Sequence, residues 1–209
     1  MEYFVIPVTA FNQNCSLVWC KETGNAVIVD PGGEAKRLQK KIAMLEIVVK
    51  EIWLTHGHLD HVGAASELAK FYKVPIIGPH HNEKILMTSL PWQCQIFGMK
   101  IIQPLLPDRW LQNGEILKIG KTSFHVLHCP GHSPGHVVFW NKEKKFILMG
   151  DVLFNGRIGC TNLPGGNIST LLESIHRQIL PLEDSTVFLP GHGLESTLGN
   201  ERKTNPFLK

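Results

Sequence analysis

No uninterrupted apolar run in the sequence approaches the ~20 residues a membrane span requires, so no transmembrane helix is expected. Residues Met1 to Val8 carry neither a basic lead nor a long apolar core, and no signal peptide is expected there. A disulfide framework is also missing. The five cysteines (Cys15, Cys20, Cys94, Cys129 and Cys160) are odd in number and scattered, which suits a reducing compartment, with cytoplasm as the expected location. Charge of one sign is scarce: the formal net charge is only +3 over 209 residues. The basic clusters Lys36, Arg37, Lys40, Lys41 and Lys142, Lys144, Lys145 are not interleaved with aromatics. They read as solvated surface, and neither a nucleic-acid groove nor a membrane partner is expected. Short-period repeats and low-complexity segments are lacking as well.

What is present is an ordinary globular composition, 43% hydrophobic and 19% charged, enough to build a sizeable core. Nothing in the chain divides it, so residues 1–209 are expected to form one domain. β-rich runs come first, at Tyr3 to Val8, Cys15 to Cys20 and Asn25 to Val29, with a break at Asp30-Pro31-Gly32-Gly33. Glu34 to Leu45 has helical spacing, and Glu51 to Leu54 reads as a buried strand. A helix is expected from His61 to about Tyr72 and a short strand over Val74 to Ile77. Another helix is expected near Asn82 to Ser89, followed by a loop holding Pro91, Trp92, Phe97 and Met99. Strands resume at Glu115 to Ile119, Ser123 to Leu127, His136 to Trp140 and Phe146 to Met149; a helix over Ser169 to Leu180 and a strand over Thr186 to Leu189 follow. Two strand-rich halves punctuated by helices predict packed sheets with helices outside, an α/β sandwich.

The chemistry concentrates in His56-Gly57-His58-Leu59-Asp60-His61, directly after an apolar strand. A strand end followed by a glycine-containing turn can swing His56 and His58 toward one point, with Asp60 and His61 at the start of the next helix. Two adjacent cations fit this set better than one, because a single catalytic ion takes three protein ligands and leaves a position open. A plainer reading makes Asp60 the N-cap of the helix that follows. Three more ligand-type residues stand at strand-to-loop junctions: His132 in Cys129-Pro130-Gly131-His132, Asp151 after Gly150, and His192 in Pro190-Gly191-His192-Gly193. Loop ends of layered α/β folds are where active sites gather. His136 reads as support for a ligand, Cys129 as a small buried hydrophobe. His80, His81 and His176 read as surface, and His125 and His128 as solvent-facing strand residues.

Taken in this order, Thr55-His56-Gly57-His58-Leu59-Asp60-His61, His132, Asp151 and His192 resemble the metallo-β-lactamase superfamily over nearly the whole chain. The Pro130–His136 and Gly150–Phe154 segments look most like its glyoxalase II-like branch. The resemblance implies a four-layer αββα sandwich with metals at one edge. It implies that His56, His58 and His132 bind one ion, Asp60, His61 and His192 a second, and that Asp151 bridges them, with Asp60 and Asp151 in catalytic roles. Zn is the first expectation for the two divalent ions, with Fe or Mn as alternatives.

Two cations about 3.5–4 Å apart can share a water and bring its pKa toward ~7, supplying a bridging hydroxide for attack on a carbonyl. A thioester suits such a site because a thiolate leaves without a general acid. The expected substrate is therefore a small thioester, S-D-lactoylglutathione or a related hydroxyacylglutathione, with Phe154 and Arg157 as candidate substrate contacts. Two departures bear on this. Only Glu195 to Lys209 follow the His192 loop, with Asn205-Pro206-Phe207 reading as a docking tail. In Ile158-Gly159-Cys160-Thr161-Asn162, Cys160 and Asn162 stand where short relatives usually carry Arg and Asp. Trp92, Phe97 and Met99 are candidates for an apolar lid. The alternative on the same fold is a mononuclear iron persulfide dioxygenase, which metal content and oxygen consumption would separate from a hydrolase. A β-lactamase, a metal-binding module without catalysis and a nuclease rank below these.

Overall fold

Apolar side chains alternate along most strands, and this alternation decides the layering of the computed structural model, which describes residues 1–209. In β1 (Glu2–Val8), β2 (Gln13–Trp19) and β3 (Asn25–Val29), neighbouring positions serve opposite seams: Val27 and Val29 face one way and Ile28 the other. After α1 (Ala35–Leu45) comes β4 (Val48–Trp53), where Ile52 and Trp53 divide in the same manner. The short α2 (Leu59–Val62) and α3 (Ala65–Tyr72) lead to β5 (Ile76–His80), a single turn at His81–Glu83, α4 (Lys84–Thr88), α5 (Leu90–Ile96) and β6 (Arg109–Leu111). These six strands form one sheet in the order β1-β2-β3-β4-β5-β6, antiparallel through β3 and parallel beyond it.

The second sheet is built from β7 (Ile116–Ile119), β8 (Thr122–His128), β9 (Val137–Asn141) and β10 (Phe146–Gly150). After the ribbon β11 (Leu153–Phe154) and β12 (Arg157–Ile158) come α6 (Ile168–Ser174), β13 (Val187–Pro190), β14 (Ser196–Thr197) and α7 (Leu198–Thr204). Its order is β14-β13-β10-β9-β8-β7. Three apolar clusters fill the three seams of a four-layer αββα sandwich, as the resemblance implied. Between the sheets, the buried Trp53 ring lies 5.5 Å from Phe124 and 5.1 Å from Phe139. No helix is long and apolar enough to cross a membrane.

Several local expectations are corrected. The helix expected from His61 to Tyr72 is broken between α2 and α3, because the Ala64 N–H is taken by the Pro31 carbonyl at 2.9 Å. The Gly32 backbone presses so closely on this segment that a Cβ there would lie 1.5 Å from the Asp60 carbonyl oxygen. The strand expected at Val74–Ile77 starts later, at Ile76, since the Val74 N–H closes the end of α3 on Ala69 O. The loop expected around Pro91 and Trp92 is helix α5, in which Pro91 occupies the first turn, where a missing N–H costs nothing. The expected helix over Ser169–Leu180 is α6 followed by a π-helical turn at Ile175–Ile179. His80 is buried, not a surface residue, with its ring stacked on His128 at 4.2 Å. His125 and His128 point to opposite faces of β8, so they do not share one solvent-facing side.

Candidate metal centre

Five of the seven candidate ligands sit on loops leaving strand ends at one edge of the sandwich, and Asp60 and His61 sit in α2 directly after one of those loops. The turn Thr55 to His58 follows β4, Cys129 to His132 follows β8, Asp151 follows β10 and His192 follows β13. Backbone bonds stitch the two sheets together there: Val137 N–H donates to Thr55 O at 2.8 Å, and Asn14 N–H to Gly191 O at 2.7 Å. Asp60 is the second residue of α2, whose N-cap is His58, so the capping role is not the one Asp60 fills. Its carboxylate is free to face the site.

Three groups of donor atoms lie within 4.8 Å of one another; one of them, Asp30, His56 and His61, joins the other two from behind, and those two are the candidate triads. One comprises His56, His58 and His132, the other Asp60, His61 and His192. Within the first, His58 Nδ1 lies 2.9 Å from His132 Nε2. Within the second, Asp60 Oδ2 lies 3.3 Å from His192 Nε2 and 3.8 Å from His61 Nε2. Asp151 spans both. Its Oδ1 is 3.4 Å from His61 Nε2, and its Oδ2 is 3.6 Å from both His132 Nε2 and His192 Nε2.

The residues fit cations well, on two grounds. First, His56 Nε2, His61 Nε2 and Asp151 Oδ1 are buried without any hydrogen-bond partner. Buried polar atoms are rarely left this way unless something absent from the protein itself completes them. Second, four of the rings are oriented from behind. The far nitrogen of His56 meets Thr55 Oγ1 at 3.0 Å, that of His61 meets Asp30 Oδ2 at 2.9 Å, that of His132 meets Cys160 O at 2.7 Å and that of His192 meets Phe11 O at 3.0 Å. Such contacts fix the tautomer and leave the near nitrogen as a lone pair facing inward.

A metallo-β-lactamase superfamily domain matches residues 8–192. The chain belongs to the metallo-β-lactamase superfamily. It is 51% identical to hydroxyacylglutathione hydrolase GloC of Haemophilus influenzae, over 100% of this chain and 98% of that protein. That similarity places it in the glyoxalase II-like branch, as a metal-dependent hydrolase. Among solved structures, BLEG-1 B3 metallo-β-lactamase superposes with a TM-score of 0.92 at 35% identity, covering 99% of both chains. TTHA1623 in a di-iron-bound form gives 0.90 at 37% identity, covering 98% of this chain and 100% of that one.

In this superfamily member the two triads carry different charge. Burial, then repulsion from neighbouring imidazoles, holds His56 far below the usual histidine value and His58 down at about 3. Burial also lowers His132 to about 4. In the second triad burial again opposes charge, yet Asp151, Asp60 and Asp30 outweigh it and raise His61 to about 10. His192 is raised through Asp60 and Asp151 against the same opposition from burial. The carboxyl of Asp60 is held below the usual range because His61 and His192 outweigh its burial.

Sequence reading missed the residues behind the ligands. Asp30, after β3, accepts from Thr55 N–H at 2.7 Å and from Thr55 Oγ1–H at 2.6 Å as well as meeting His61. Its only sequence signal was its place at a strand end, before Pro31. Phe11 and Cys160 act through backbone carbonyls, which leave no sequence signal at all. His136 is the support it was expected to be: its Nε2 accepts from the Asp151 N–H at 3.0 Å. Cys129 is fully buried, as expected. Phe154 and Arg157 line a cavity of about 460 Å³ together with Asn155, Ile158, Cys160, His192, Gly193 and Leu194. Trp92 and Phe97 are exposed, Phe97 against Phe11 at 5.7 Å, whereas Met99 packs on the outer core and is no lid. The expected docking tail is anchored instead: Asn205 is buried and donates to Arg157 O at 3.2 Å.

Proposed function

We propose that the chain hydrolyses a thioester, most specifically a hydroxyacylglutathione such as S-D-lactoylglutathione, at a pair of divalent ions held by the seven candidate ligands. The observation that carries this reading is Asp151, whose carboxylate lies within 3.6 Å of nitrogens from both triads. When bound, paired divalent ions supply Lewis acidity and make hydroxide available near neutral pH. His56, His58, His132 and Asp151 would hold one ion, and Asp60, His61, His192 and Asp151 the other. Zn is the first choice of metal; Fe is the alternative, in keeping with a similar protein solved in a di-iron-bound form.

The chain's own residues supply binding and orientation. The cavity beside His192 places the exposed Arg157 at its lip and Phe154 and Leu194 on its walls. A guanidinium suits a carboxylate of the glutathione moiety, and the apolar walls suit the thiol arm. No carboxylic acid or lysine lines this cavity. A thiolate leaves without a proton donor, which suits this lining. All five thiols are free, which supports a reducing, cytoplasmic setting.

The test is to quantify metal in the purified protein and assay it against glutathione and coenzyme A thioesters, with a β-lactam included because of the similarity to BLEG-1. Two ions per chain and preference for a hydroxyacylglutathione are expected. Asp151→Ala should lose metal and activity together; full activity with both ions retained in that variant would end the proposal. One iron per chain with oxygen consumption would point to the persulfide dioxygenase.

A further inference from the structure

Glu83 is a fully buried carboxylate that none of the candidate ligands touches. Burial pushes its carboxyl above the usual range, and its two oxygens are used in opposite directions. Oε2 accepts from the Gly57 N–H at 2.8 Å, and Oε1 accepts from the Gly135 N–H at 2.6 Å. Gly57 lies between His56 and His58. Gly135 lies between His132 and His136. One side chain therefore ties together the two loops from which the first triad is assembled. The approach is close: a Cβ at Gly135 would sit 2.7 Å from the Glu83 backbone nitrogen.

The second triad has supports that Glu83 does not touch. Asp60 and His61 ride on α2, whose Leu59 N–H donates to Gln93 Oε1 at 3.0 Å, while Gln93 Nε2 also reaches Gly57 O at 3.3 Å, and His61 is fixed by Asp30. The His192 loop is fixed by Asn14, which donates to Pro190 O at 3.0 Å and Gly193 O at 2.9 Å. His58 is the ligand most exposed to any slackening. Alone among the candidate histidines, its far nitrogen, Nε2, has no partner, so its aim depends on the backbone that Gly57 pins.

We propose that Glu83 is a positioning residue that sets the spacing of the His56–His58 and His132–His136 loops, so that its loss weakens ion binding at His56/His58/His132 and spares Asp60/His61/His192. This rests on the two-ion reading above. In Glu83→Gln one oxygen becomes an NH₂ group facing a backbone N–H, so one loop is released with little change in volume.

The test uses cobalt(II) as the probe ion, read by its visible absorption in the full chain. Asp60→Ala leaves the first triad intact, and His132→Ala leaves the second. Adding Glu83→Gln to Asp60→Ala should weaken cobalt binding about tenfold or more, the scale of lost support behind a ligand. Adding it to His132→Ala should leave binding unchanged. Glu83→Asp, one methylene shorter and so able to reach only one of the two amides, should weaken binding at the first triad to a similar extent; if Glu83→Gln does not fold, Glu83→Asp carries the same comparison. Equal weakening in both backgrounds, as a general loss of stability would give, overturns the proposal, as does no change in either. An unmodified protein that takes up no cobalt defeats the metal reading itself and the clamp with it, whereas two ions bound without the differential defeats the clamp alone.

Discussion

The two candidate triads lie side by side in different electrostatic surroundings. His56, His58 and His132 are buried imidazoles whose crowding and burial keep protons off them, with His58 at about 3 and His132 at about 4. Asp60, His61 and His192 mix a carboxylate with imidazoles whose proton affinity nearby carboxylates raise against burial, His61 to about 10. An ion entering the second triad would therefore compete with a proton on His61, and one entering the first would meet no such competitor on His58 or His132.

That contrast can be broken in order of expected effect. Ligand removal should be largest. If the roughly 10–16 kcal/mol of a four-ligand zinc site is spread over its ligands, each accounts for about 3 kcal/mol, or about a hundredfold in affinity. His56→Ala should empty the first triad and leave the second filled, and His192→Ala the reverse; elemental analysis of each variant checks this. Loss of both ions from either one would show that the triads are a single unit.

Next is Asp30→Asn, which replaces the carboxylate facing His61 Nδ1 and should weaken the second ion about 10-fold to 100-fold, with a smaller loss at the first through the Thr55 hydroxyl that links Asp30 to His56. Isothermal competition with a chelator measures it, and an unchanged second site would remove Asp30 from the account. The pH dependence follows from the same charges. As pH falls from about 8 to about 6, each proton that must leave His61 lowers apparent affinity at the second triad by about tenfold per unit. At the first triad His58 and His132 already stand unprotonated over this range, so its affinity should stay flat. Metal titrations at both ends of the range decide, and parallel slopes would contradict the contrast. Smallest is Arg157→Ala: an exposed cation contributes about 1 kcal/mol or less, so KM for a glutathione thioester should rise a few-fold with kcat unchanged.

Much of this centre was legible from residue types. The His56–His61 cluster announces itself because four donor side chains in six residues have few other uses, and strand ends at Leu127, Met149 and Leu189 point to where partners arrive. Legibility stopped at residues that act through geometry. Asp30 and Glu83 are single acids in unremarkable surroundings, and the carbonyls of Phe11 and Cys160 belong to every residue alike. The break between α2 and α3 was hidden for the same kind of reason: helical spacing continues through Gly63, but the Pro31 carbonyl captures the Ala64 N–H from a distant turn.

By itself the sequence determined the donor set, the alternation that sorts side chains into three apolar seams, and membership of the superfamily, because each is written in residue type and local period. The tertiary structure alone decided which donors share a triad, which nitrogen of each ring faces inward and in which direction each imidazole's proton affinity shifts. Those depend on distances of a few ångströms between segments far apart in the chain, such as His192 and Phe11, 181 residues apart, and short-range electrostatics cannot be read before such segments meet.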